Sequence, residues 1–126
     1  MLKKRVLIPA AFLYTAVLAT VSLMNLGTIT DGTPKNTDKV FHFLAYCLLS
    51  LLWYAVFKYG YKWTQAKVLI LTGVVAISFG VLIEYLQGTL TETRQFDVLD
   101  IFANSVGVIV TLLILTIKNK IQYKKI

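Results

Sequence analysis

Acidic residues are scarce in this chain. Asp and Glu together number 6 among 126 residues against 13 Lys and Arg, and charged residues of both signs make up only 15%. Cys47 is the single cysteine, so no internal disulfide can form and no zinc site can be assembled from paired cysteines. It lies inside an apolar run, where it reads as a small buried hydrophobe. Also missing are a glycine-rich phosphate loop after a strand, a Gly-x-Ser-x-Gly nucleophile turn, and any context that would activate Ser78 or Ser105. No internal repeat or low-complexity segment is present.

What fills the chain instead is apolar. Hydrophobic residues make up 57% and the mean hydropathy is +0.71, whereas soluble domains hold roughly 45–50% apolar residues. Residues 1–126 therefore read as one all-α, polytopic membrane domain. The net charge of +7 would point to nucleic acid only if the cations covered one face. They do not. Lys3, Lys4, Arg5, Lys58, Lys62, Lys67, Lys118, Lys120, Lys124 and Lys125 lie in segments that alternate with the segments holding all six acids, so no nucleic-acid partner is expected.

Four apolar runs set the topology. Val6 to Met24 is uncharged for 19 residues, close to the roughly 20 that span a hydrocarbon layer about 30 Å thick. A signal peptide is the rival reading, but its apolar region is shorter. Asn25 to Thr37 carries Gly27, Gly32 and Pro34 and reads as a loop. Val40 to Phe57 is the second run, with Trp53, Tyr54, Tyr59, Tyr61 and Trp63 gathered at its closing end as at a membrane interface. The third runs from Lys67 to Leu86, and the fourth from Asp97 or Val98 to Ile117, before a Lys-rich tail suited to anionic lipid. Four helices up and down put both termini on one side. The positive-inside rule makes that side cytoplasmic and leaves all six acids at the outer end.

Polar residues recur at helical spacing near that end. Asp38, His42 and Tyr46 form one stripe with Lys39 beside it; Gly80, Glu84 and Gln87 form a second; Asp97, Asp100, Asn104 and Gly107 form a third. Simple structural roles compete for several of them. Asp38 and Asp97 suit a helix N-cap, Asp100 suits a first helical turn, and the glycines suit close helix approach. Tyr46, Gln87 and Asn104 suit hydrogen bonding between helices. Glu84 fits no such role, because it lies near a helix C-terminus, where the dipole disfavours a negative charge, and in hydrocarbon, where ionisation is costly. It needs a partner among Arg94, Lys39 and His42. Arg94 stands out as the one arginine beyond Arg5, with a fork that can hold a carboxylate, and is expected to close over Glu84. His42 reads as an interior hydrogen-bonded histidine, a base or a ligand.

The ordered set Asp38-Lys39-x-x-His42-Phe43-x-x-Tyr46, Gly80, Glu84-x-x-Gln87, Arg94, Asp97-x-x-Asp100-x-x-x-Asn104-x-x-Gly107 resembles the pattern of VanZ-like membrane proteins across three of the four runs. The resemblance implies a small bacterial integral membrane protein of a family named for lowering susceptibility to the glycopeptide teicoplanin.

Three functions fit these residues. The first is binding of a membrane lipid or lipid-linked cell-wall precursor in an outward-facing pocket of Asp38, Lys39, Tyr46, Gln87, Arg94, Asp97, Asp100 and Asn104 around His42 and Glu84. The second is a membrane enzyme acting on a lipid-linked phosphate, with His42 or Glu84 as general base and a divalent cation possible but not required. The third is proton or cation transport, disfavoured because the inner halves of the runs hold almost no polar groups to continue a path.

Overall fold

A computed structural model describes residues 2–24, 37–90 and 98–125, including their side chains other than those of Leu2, Thr37, Asp38, Tyr123 and Lys125. The chain forms four long helices, α1 (Leu2–Leu23), α2 (Thr37–Ala55), α3 (Gln65–Leu90) and α4 (Val98–Lys125), with one π-helical turn, Val56–Gly60, closing α2. All four are long and apolar enough to cross a membrane. In hydrocarbon every backbone N–H and C=O needs an internal partner, and an apolar run of this length meets that need as a helix.

The helices exceed the apolar runs that predict them. α3 starts at Gln65 rather than Lys67 and continues to Leu90, and α4 continues eight residues past Ile117. Lys118 to Lys125 contains neither Gly nor Pro, so nothing in it stops the helix where the hydrocarbon pattern ends. α1 begins at Leu2, taking in the basic residues expected to precede it. At α2 the helix opens at Thr37, which puts Asp38 in the first turn rather than at a cap.

Surface and interior are inverted relative to a soluble protein. Leu82 and Tyr85 on α3 are 53% and 59% exposed while Glu84 between them is 1% exposed. Phe41, Phe102 and Leu113 likewise face outward. Exposed apolar surface on this scale is suited to lipid.

Contacts along α2 and α4 advance in the same sense, from Lys39 with Asp100 to Cys47 with Gly107, and this is the most extensive helix pairing in the bundle. The two backbones approach closely because α4 presents Gly107, where a Cβ would lie 2.5 Å from the Phe43 carbonyl oxygen. α3 meets both helices through Gly80, α1 lies outermost, and Ala11 and Ser22 are its buried residues. Tyr14 donates to the Ala45 carbonyl at 2.6 Å and Trp53 Nε1 to Thr15 Oγ1 at 3.0 Å, which fixes α1 to α2.

At the basic end, Phe57, Tyr61 and Trp63 stack with centroids 5.1–5.3 Å apart. Gln65 Oε1 accepts from both Tyr54 OH and Lys58 Nζ, tying the π-helical turn to the start of α3. Cys47, expected to be buried, is half-buried, and its thiol points at the Gly107 carbonyl at 3.4 Å.

Candidate functional site

The far end of the bundle collects the polar side chains. On α2 and α4, Lys39 Nζ lies 3.0 Å from Asp100 Oδ1. One turn deeper, His42 Nδ1 and Asn104 Oδ1 are 3.0 Å apart. With Nδ1–H as donor to the amide oxygen, the neutral ring keeps Nε2 as an acceptor. A further turn in lies Tyr46, and the bond pattern follows from helical spacing: steps of three or four residues on one helix face equal steps on its parallel neighbour.

α3 completes the constellation. A Cβ at Gly80 would meet Tyr46 Cε1 at 3.1 Å and Asn104 Nδ2 at 3.5 Å, so tyrosine, asparagine and glycine share one level. Glu84 sits one turn from Gly80 toward the polar end, within electrostatic reach of Tyr46. Gln87 follows, and its Nε2 donates to the Ser22 carbonyl at 2.7 Å. Glu84, Gln87, Tyr46 and Asn104 are all at least 98% buried. The Tyr46 hydroxyl has no hydrogen-bond partner among the described residues, and a buried hydroxyl left so costs roughly 1–3 kcal/mol.

Seven predicted site residues therefore converge from α2, α3 and α4: Lys39, His42, Tyr46, Glu84, Gln87, Asp100 and Asn104. Arg94 and Asp97 lie outside the described residues, as do the Asp38 side chain and the expected closure of Arg94 over Glu84. Two of the partners considered for Glu84 are engaged with α4: Lys39 with Asp100, and His42 with Asn104. Among the described residues no three His, Cys, Asp or Glu side chains converge as metal ligands.

The sequence places α1 but gives no sign of its part in this site. Its contribution is the backbone carbonyl of Ser22, which carries no side-chain signature and joins the site through the hydrogen bond from Gln87. The expectation of almost no polar groups in the inner halves also needs correction, since Ser50, Thr72 and Thr111 are buried there. Ser50 and Thr111 donate back to the carbonyls of Tyr46 and Gly107, four residues earlier on their own helices, so these two hydroxyls are satisfied locally and extend no path.

The sequence matches the VanZ/LLP1 family over residues 3–119, nearly the whole chain and all four helices. No curated protein and no solved structure matches it. With the match running through every helix that builds the buried polar cluster, the chain belongs to the VanZ/LLP1 family.

Proposed function

We propose that this protein is a multi-pass protein of a bacterial cytoplasmic membrane whose outward-facing polar cluster binds an envelope lipid or lipid-linked cell-wall component. By doing so it lowers susceptibility to glycopeptide and lipoglycopeptide antibiotics such as teicoplanin. The arrangement is an up-and-down bundle with both termini cytoplasmic. Its support is the distribution of charge, with ten of the thirteen cations in the terminal segments and around the α2–α3 connection.

One observation carries the reading. Lys39, His42, Tyr46, Glu84, Asp100 and Asn104 are gathered at one end of the bundle, and the Tyr46 hydroxyl there lacks a hydrogen-bond partner among the described residues. Polar groups at such depth are costly unless they serve a ligand or each other. Two of the pairs serve each other; the tyrosine hydroxyl is left to serve a ligand. The test is antibiotic susceptibility of a bacterial host expressing the chain at matched membrane levels. His42→Ala and Glu84→Gln should each abolish the protection given by the parent, and unchanged protection would reject the reading.

The His42–Asn104 bond favours a second reading, a membrane enzyme acting on a lipid-linked phosphate. A base oriented through one ring nitrogen presents the other to a substrate, as nucleophile activation requires. Turnover of such a substrate by the purified chain, lost in His42→Ala, separates this from binding alone.

A further inference from the structure

The opposite end of the molecule holds a second cluster that the polar site does not use. Lys4 and Arg5 in the first turns of α1 face Gly60 and Lys62 of the α2–α3 connection across an open cleft. The two segments are in contact: a Cβ added at Gly60 would stand 3.8 Å from Lys4 Cα, an ordinary van der Waals distance. Immediately beside this cleft is a groove lined by Lys3, Val6, Leu7 and Tyr59, apolar apart from the lysine at its rim.

Aromatic rings hold two of the cations in place. Lys4 Nζ lies 4.1 Å from the Tyr61 ring centroid and Lys3 Nζ 5.5 Å from that of Tyr59. A ring face positions an ammonium without neutralising it, so its N–H donors and charge stay available. Among the described residues no carboxylate pairs with Lys4, Arg5 or Lys62; the ion pair of the bundle, Lys39–Asp100, is at the far end. Lys62 is held at φ 58°, a left-handed conformation that favours glycine, and yet the position carries a lysine.

We propose that this cleft and groove together bind one anionic phospholipid of the leaflet in which the basic end sits. Lys4, Arg5 and Lys62 receive the phosphate, and an acyl chain runs along Val6, Leu7 and Tyr59. Charge complementarity selects the headgroup, since three cations converge where, among the described residues, no carboxylate pairs with them. The apolar groove selects a lipid over a free phosphate, because a soluble anion gains nothing from burying Val6 and Leu7. The site is distinct from the polar cluster and does not depend on its function.

The test is a titration of the purified full chain in neutral detergent with phosphatidylglycerol and, separately, phosphatidylcholine, with bound lipid read by native mass spectrometry. One phosphatidylglycerol should bind preferentially. Arg5→Gln combined with Lys62→Gly should weaken it roughly tenfold or more, while Lys120→Gln combined with Lys124→Gln, an equal loss of charge in the tail, should leave it intact. Lys62→Gly also relieves the left-handed backbone, so loss of binding with unchanged helix content by circular dichroism cannot be ascribed to unfolding. Glycerol phosphate should fail to displace the lipid. Equal binding of the two lipids, equal losses from the two double variants, or displacement by glycerol phosphate at lipid-like concentration would each overturn the proposal.

Discussion

Gly107 of α4 lies so close to Phe43 of α2 that a methyl group added to it would stand 2.5 Å from the phenylalanine carbonyl oxygen. That contact is backbone against side chain, so no rotamer change can relieve it, and the helices themselves must part. Gly107→Ala should therefore destabilise the bundle by roughly 1–3 kcal/mol, measured by unfolding in mixed micelles. Because His42 and Asn104 sit just beyond this contact, their hydrogen bond should loosen with it. Wild-type stability for Gly107→Ala would show that the two helices are not in contact at this register.

Tyr46 gives a prediction with opposite signs for folding and function. Its hydroxyl has no partner among the described residues, so Tyr46→Phe should leave the fold unchanged or stabilise it by about 1 kcal/mol. Protection against teicoplanin should nonetheless fall. Parallel measurement of unfolding and susceptibility checks both halves, and a destabilised but fully protective variant would contradict them.

Lys39 and Asp100 form a partly buried pair at 3.0 Å. A double-mutant cycle with Lys39→Met and Asp100→Asn should return a coupling of about 1 kcal/mol, since exposed pairs give less and buried pairs leave a costly orphan charge when broken. Additive effects in the unfolding free energies would mean that the two residues act separately.

Topology is checked by labelling. Cys47 must first be replaced, and Cys47→Ser is suited because its hydroxyl can keep the contact to the Gly107 carbonyl. Single cysteines at Gly32 and Thr91 should then react with an impermeant reagent from outside intact cells, and those at Lys62 and Lys124 should not. The reverse pattern would invert the bundle.

How much of this was legible in the sequence depends on the residue. The four helices were, because apolar runs of membrane length with basic flanks leave few alternatives. The start of α4 at Val98 was legible too, but its far end was not: Lys118 to Lys125 is polar yet helical, and polarity marks the edge of hydrocarbon rather than of a helix. The three polar stripes were legible from spacing, and the structure brings their described members together. The pairing within them was not, since spacing puts residues on a face and the register between helices chooses partners. That register, set where Gly107 meets Phe43, pairs Lys39 with Asp100 and His42 with Asn104. The Ser22 carbonyl was illegible because any residue offers one.

The most direct measurement of the central claim is retention of a lipid-linked cell-wall precursor by the purified full chain, compared with the His42→Ala/Glu84→Gln variant at equal helix content. The account predicts that the wild-type chain retains the precursor and the double variant does not. Equal retention by both proteins, or by neither, would contradict it.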